Sequence, residues 1–265
     1  MHFKTFWLWS FLSLIVGCAS TPPDPSGLAP GQRHIESATL WWQTSGEARA
    51  LQYQAFHWAQ LVLDKDLRDK KSKQSRAVVV DVDETVLDNG NYQAAVVLSD
   101  KGYPARWKEW IHSQQGKSIA GSREFLDYAH AKGVKIFYVT NRDQGYQAST
   151  IENLKKLGYP QVNTDTVMCS NSDWNKEARR DKIRENHRIV LLVGDNLNDF
   201  TNDYDKKGVE ERMAAVEKNR SQFGETFILI PNPMYGDWEG AFYQFDWKKS
   251  PEEKQRLRRS GLKGF

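Results

Sequence analysis

The chain reads as an α/β protein: a parallel, Rossmann-like sheet flanked by helices, with a smaller, mostly helical lid subdomain. Two observations predict this class. Short apolar, β-branched runs at 77–81, 134–139, 166–169, 188–193 and 226–230 alternate with stretches whose apolar residues recur every three or four positions, as expected for strands buried between helices. Three of these runs end in acids or a hydroxyl, at Asp81, Thr140 and Asp195. The carboxyl edge of such a sheet is where ligands bind.

In chain order, residues 1–17 carry Lys4, an apolar run from Phe6 to Val16, and Gly17 before Cys18. Eleven residues, apolar but for Ser10 and Ser13, are too few for a permanent span, which needs roughly 20, so the charged start and small-residue end predict a secretory signal peptide. Residues 18–33, rich in Pro, Gly and Ser, predict a flexible tether. A single domain is expected from 34 to 265. Residues 34–67 place Trp41, Ala48, Phe56, Ala59 and Leu63 near helical spacing, as one helix or as two broken near Gly46. Residues 65–76 form a charged connector. Between 88 and 121 the pattern loses its regularity and gains Tyr92, Tyr103, Trp107 and Trp110. An insertion after the first strand is placed to cover the strand ends, so 34–64 and 88–121 are assigned to the lid, and 76–87 and 122–240 to the core. Helices follow at 122–132, with Ser122 as cap and Gly133 as stop, at 147–157, ended by Gly158 and Pro160, and at 176–185. After Trp247 seven Lys and Arg stand against two Glu, which reads as a solvated tail.

Composition narrows the function classes. The formal net charge is +3 and falls to 37 − 1 − 34 = +2 once residues 1–17 are removed, so no basic field argues for a nucleic-acid polymer. Outside the signal region and its border only Cys169 is left. An internal disulfide is thereby excluded, and Cys169, following Val167 and Met168, is expected to pack inside.

The chemistry is carried by residues at the strand ends. Asp81 and Asp83 are two apart, so on an extended chain their carboxylates face one side and can converge on one phosphate and one metal ion. Alone, such a pair is only a solvated acidic string. Here Thr140, Lys176 at the start of a helical stretch, and Asp195 with Asp199 follow in order, and the set points to phosphoryl transfer. Asp81 and Asp195 supply the hard oxygens that Mg²⁺ takes. Asp199, four residues on, reads equally as a holder of metal-bound water or as a helix-start acid on backbone N–H groups. Asp81 is the candidate nucleophile, forming an aspartyl-phosphate, and Asp83 the acid that protonates the leaving oxygen and then activates water. The Thr140 hydroxyl can donate to a phosphate oxygen, with Asn141 and Arg142 lining the same edge as substrate-binding residues.

Asp81-Val82-Asp83-Glu84-Thr85, Thr140-Asn141-Arg142, Lys176 and Gly194-Asp195 with Asp199 together resemble the haloacid dehalogenase (HAD) superfamily of phosphatases. Within it the chain looks like the class C acid phosphatases, bacterial lipoproteins that include 5′-nucleotidases. The resemblance runs from about 41 to 235 and extends to Trp41-Trp42-Gln43-Thr44 and Pro231-Asn232-Pro233-Met234-Tyr235. It implies the backbone carbonyl of Asp83 as a further Mg²⁺ ligand. For the cation spanning nucleophile and phosphate it implies Lys176, from the Lys176-x-x-Arg179 spacing, with Lys182 as the alternative; residues 170–175 depart from the basic sequence common there. It implies a nucleoside 5′-monophosphate or similar small phosphomonoester, its base held between Trp107 and Tyr235, against the alternative that both rings only pack the lid. Leu14-Ile15-Val16-Gly17-Cys18 resembles the lipoprotein cleavage box, which makes Cys18 a lipid anchor to a membrane. Ser20 in place of Asp points to the bacterial outer membrane. The oligomeric state stays open, a homodimer being one option. Two other readings compete: a response-regulator receiver, which lacks an acid two residues after its nucleophile, and a catalytically inactive surface lipoprotein that binds a ligand.

Overall fold

The computed structural model describes residues 33–69, 74–172 and 174–265. The expected signal peptide, Cys18 and all of the tether but its last residue lie outside them. The described chain begins in a 3₁₀ turn, Arg33–Ile35, then α1 (Glu36–Thr44) and α2 (Gly46–Arg68). The break between these helices falls at Ser45. Its extended backbone leaves the first helix, and its hydroxyl caps the second by accepting the Ala48 N–H at 3.0 Å.

Strand β1 (Arg76–Val80) follows, then β2 (Leu87–Asp88), α3 (Gly90–Ser99), α4 (Trp107–Ser113) and β3 (Lys117–Ser118), which pairs antiparallel with β2. The remainder alternates: α5 (Ser122–Ala131), β4 (Lys135–Asp143), α6 (Gln147–Lys156), β5 (Val167–Ser170), α7 (Glu177–Arg184), β6 (Arg188–Gly194), α8 (Val209–Lys218) and β7 (Phe227–Leu229). Two closing helices are α9 (Asp237–Gly240) and α10 (Pro251–Ser260).

The five long strands form one parallel sheet in the order β5-β4-β1-β6-β7. From β1 the chain winds outward through β4 to β5, then crosses back to lay β6 and β7 on the other side of β1. The winding direction therefore reverses between β1 and β6, which opens a crevice beyond their carboxyl ends. Side chains alternate across the sheet. Val78 and Val80 pack with Phe56 and Leu63 of α2, Leu126 of α5 and Leu154 of α6, while Ala77 and Val79 pack with Ile183 of α7 and with Phe200 and Phe227. Each such valine contributes about 1.5–3 kcal/mol by burial. A charge at Val80, which is fully buried, would be the shortest route to unfolding the strand that carries the site.

Several expectations need correction. α2 belongs to the sheet layer and not to the lid, because Phe56, Ala59 and Leu63 face the sheet and α5; the small subdomain is α1, α3, α4 and the β2–β3 ribbon. The irregular stretch 88–121 folds into two helices. Helix α3 buries Tyr92, Gln93 and Val96 on one face and leaves Leu98 exposed, so its contiguous apolar Val96, Val97 and Leu98 conceal the helical period. Ser122 does not cap α5: Gly121 does, at φ +82°, with Phe56 Cβ only 3.2 Å from where a side chain would begin. The Ser122 hydroxyl is instead buried between Ile119 O and the Tyr159 hydroxyl, 2.6 Å from each. The basic tail is also more than a solvated terminus, for Ser250 caps α10 and Arg258 reaches the buried Glu239 at 3.1 Å.

Candidate active site

The crevice collects the residues singled out in the sequence. Asp81 follows β1, Thr140 lies in the last part of β4, Asp195 follows β6, and Lys176 stands at the N-cap of α7. Lys176 donates to Asp81 and, at 2.6 Å, to Asp199 Oδ1; all three side chains are less than a tenth exposed. One oxygen from each of Asp81, Asp195 and Asp199 lies within 4.8 Å of the others. Lys182, the alternative cation, sits a turn and a half along α7 and is exposed. Lys176 is thus the lysine the fold delivers to the site.

Asp199 meets its reading as a helix-start acid and also stands in the acidic cluster. Its Oδ2 accepts the Asn196 N–H at 2.9 Å, closing a 3₁₀ turn at Leu197–Asp199, while Oδ1 faces Lys176. A side chain at Gly194 would begin 2.3 Å from Asp199 Oδ2, so glycine at the end of β6 is what admits this carboxylate.

The electrostatics follow from three acids sharing one lysine. Burial, then the charges of Asp199 and Asp83, pushes the Asp81 carboxyl up to about 7, although Lys176 opposes the rise. Asp195 is held well above the usual carboxylate range by burial and by Asp199 and Asp81, opposed by a 2.8 Å hydrogen bond from Asn232 Nδ2. For Lys176 burial favours the neutral amine, but Asp199 and Asp81 outweigh it and raise its pKa. Lys176, Asp81 and Asp195 all lean toward their protonated forms, which means that negative charge is in excess. With all three carboxylates ionised against one ammonium, the surplus is two charges, a match for one divalent cation with hard oxygen donors.

Asp83 is set apart from this cluster. Arg142 holds it through Nη2 at 2.7 Å and Nε at 3.0 and 3.1 Å, and Asn89 Nδ2 donates at 2.8 Å. Thr140 Oγ1 is 3.5 Å from Asp83 and accepts the Arg142 N–H at 3.1 Å. The expectation that Arg142 lines the edge for substrate is corrected here. Its guanidinium is buried on Asp83 and Thr150 and lies 5.5 Å from the centre of the Trp107 ring. Asn141 Oδ1 accepts from Arg179 at 2.7 Å.

Trp107 and Tyr235 are both half-buried. Trp107 meets Tyr92 edge-on at 4.8 Å and Tyr103 at 5.8 Å, while the Tyr235 hydroxyl donates to Glu84. A larger opening, about 490 Å³, lies elsewhere, between the α1–α2 junction and the β2–β3 ribbon, lined by residues that include Trp42, Arg49, Gln52, Asp88 and Lys117.

Four site residues escaped the sequence reading. Arg180, fully buried, donates to the carbonyls of Asn198 and Asp199 at 3.0 and 2.9 Å and so fixes the acid-bearing turn; its position four after Lys176, on the same helix face, was the available signal. Glu84 stood inside the motif itself. Asn232 stood inside the Pro231–Tyr235 segment of the resemblance, and Asn89 carried no signal beyond its turn-forming neighbours.

Comparison with known proteins agrees with this geometry. The family model described as HAD superfamily, subfamily IIIB (acid phosphatase), matches residues 29–238. The fold is similar to that of the class C acid phosphatase from Bacillus anthracis, with TM-score 0.87 and 44% identity over 89% of this chain and 100% of that one. A second structure of that enzyme, with tungstate bound, gives TM-score 0.86 and 43% identity over the same shares. Among plant relatives, acid phosphatase 1 of Solanum lycopersicum is 24% identical over 59% of this chain, which spans 57% of that protein's length. The stem 28 kDa glycoprotein of Glycine max is 24% identical over 73% of this chain and 69% of its own. The chain belongs to the acid phosphatases of HAD subfamily IIIB.

Proposed function

We propose that this protein is a Mg²⁺-dependent phosphomonoesterase that works through an aspartyl-phosphate and accepts nucleoside 5′-monophosphates. The observation that carries the reading is the buried cluster of Asp81, Asp195 and Asp199 around Lys176 at the sheet's switch point. Asp81, Asp195 and Asp199, with the backbone carbonyl of Asp83, would hold the ion. When bound, it supplies positive charge that lets a carboxylate approach a phosphate dianion.

The chain's own residues perform the rest. Asp81 forms a bond to phosphorus as the bond to the leaving oxygen breaks, and Asp83 gives that oxygen its proton. Asp83 then takes a proton from water, whose oxygen displaces Asp81 from phosphorus and releases inorganic phosphate. Lys176 keeps the charge on Asp81 tolerable in its buried setting, and Arg142 and Asn89 hold Asp83 at a fixed angle.

Purified protein should hydrolyse p-nitrophenyl phosphate with Mg²⁺, lose activity in excess chelator, and lose it on Asp81→Asn while staying folded. Full turnover by Asp81→Asn would sink the mechanism, and an inert wild type would favour the ligand-binding reading.

The address belongs to the same proposal: a signal peptide over 1–17 and an acyl anchor on Cys18 at the outer membrane. Among the described residues no helix is long and apolar enough to cross a membrane. Cys18→Ser should abolish incorporation of labelled fatty acid and release the protein from membranes. A variant that stays bound while the wild type takes up no label refutes the anchor.

A further inference from the structure

Glu84 is a fully buried acid beside Asp83 to which no role has yet been given. Its backbone lies in the left-handed region, at φ 55°, which disfavours a residue with a side chain. Its carboxylate is engaged on both oxygens. Oε1 accepts the Asn89 backbone N–H at 2.9 Å, and Oε2 accepts the Tyr235 hydroxyl and, at 3.4 Å, Asn89 Nδ2. These donors are all neutral. Burying an acid on neutral donors is costly, so what those contacts hold in place matters.

Asn89 is the link to Asp83. Its Oδ1 accepts from Trp110 Nε1 at 2.7 Å and from Arg142 Nη2 at 3.4 Å, which orients the amide and aims Nδ2 at Asp83 Oδ1, 2.8 Å away. That amide is spent on the site and leaves the first turn of α3 without a side-chain cap. Tyr235 arrives from the far end of the chain, in the loop after β7. One buried carboxylate therefore ties the acid of the site to a ring at its rim.

We propose that Glu84 is a positioning residue of the phosphatase site, fixing Asp83 through Asn89 with one oxygen and holding the Tyr235 ring in place with the other. The inference rests on the phosphatase reading above.

The test compares wild type, Glu84→Gln, Tyr235→Phe and the double variant on p-nitrophenyl phosphate and glycerol phosphate with Mg²⁺, alongside melting temperatures. Leaving a buried hydrogen-bonding partner unsatisfied corresponds to about 5- to 150-fold, and Glu84→Gln should lower kcat by that order on both substrates. It should also raise KM for the aromatic substrate more than for the aliphatic one. Tyr235→Phe, which keeps the ring and loses the hydroxyl, should reproduce only the KM effect. The double variant should be no worse in KM than the worse single one, because both cut the same link. A folded Glu84→Gln with wild-type kcat, or KM effects that multiply, overturns the proposal. If Glu84→Gln does not fold, Tyr235→Phe decides alone: an unchanged KM for p-nitrophenyl phosphate overturns it. A wild type inert on both substrates removes the phosphatase reading and this proposal with it, whereas an active wild type with silent variants removes only the role of Glu84.

Discussion

Arg142 grips Asp83 from the side, Nη2 and Nε both bonding its carboxylate at 2.7 to 3.1 Å, and is itself buried. A guanidinium so engaged is a poor phosphate ligand and a good clamp on a catalytic acid. Arg142→Ala should therefore act on kcat and leave KM nearly unchanged. A positioned acid or base is worth about 10²–10⁴ in rate, and losing its alignment should forfeit about 10- to 100-fold of that. Steady-state kinetics on p-nitrophenyl phosphate separate the two roles. A large rise in KM with kcat preserved would return Arg142 to the substrate.

The acidic cluster predicts a linkage between pH, metal and stability. The Asp81 carboxyl, at 3.8 in an unfolded chain, is pushed up to about 7 by burial and by Asp199 and Asp83. Between these values the folded protein keeps a proton that the unfolded chain has released, so stability falls as pH rises through the window. Asp195 moves in the same direction. Asp66 moves the other way: although burial opposes it, Arg188 and Arg76 lower its pKa, and its contribution is lost only as pH falls below 3.8. In chelator, melting temperature should fall from pH 5 to pH 7.5. Mg²⁺ at about 100 times its dissociation constant should add about 2.7 kcal/mol, a rise of about 5–10 °C for a chain of this size, and more at pH 7.5 than at pH 5. An equal or larger rise at pH 5 would show that the ion does not bind these carboxylates.

What the sequence disclosed, and what it hid, divides along physical lines. Val78 to Val80 announce a buried strand because hydrophobic burial is local in sequence, and an acid or hydroxyl ending such a run can only stand at the sheet edge. Hence Asp81, Thr140 and Asp195 are legible in the sequence alone. The direction in which Arg142 turns is not, since it depends on Asp83 and Asn89 arriving from 59 and 53 residues away. Glu84 was hidden by a backbone twist to φ 55° that no propensity predicts. The layer that α2 joins is not legible, because one apolar stripe serves a lid or a sheet layer equally well. Nor is the docking of the basic tail, because Arg258 finds its partner in Glu239, outside the charge pattern of its own helix.

Glu239 holds the two ends of the described chain together. It is buried and receives His34 Nε2 at 2.9 Å, Arg258 Nη1 at 3.1 Å and the Tyr243 hydroxyl. Removing one partner of a buried charged pair costs about 3–5 kcal/mol, so Glu239→Ala should lower the melting temperature by about 6–20 °C. Since Glu239 does not touch the acidic cluster, the protein that remains folded should keep its kcat. Calorimetry and kinetics on the same sample check both halves. A drop below about 2 °C would mean that the cluster is solvated and weak.

Trp107 offers the last test, because its ring faces two ways. One neighbour is Arg142, 5.5 Å from the ring centre, and through Arg142 the ring braces Asp83; the others are Tyr92 and Tyr103 at 4.8 and 5.8 Å. If the ring also stacks on a nucleobase, Trp107→Ala removes a brace and a platform together. The brace acts on every substrate. The platform acts only on those with a base, where stacking is worth about 1–3 kcal/mol, or about 5- to 150-fold. Trp107→Ala should accordingly lower kcat for glycerol phosphate and a nucleoside 5′-monophosphate alike, and in addition raise KM for the nucleotide alone. Trp107→Phe, which keeps an aromatic face, should restore most of the nucleotide KM. Equal losses on both substrates in KM as well as kcat would leave Trp107 as a packing residue of the small subdomain and remove it from substrate recognition.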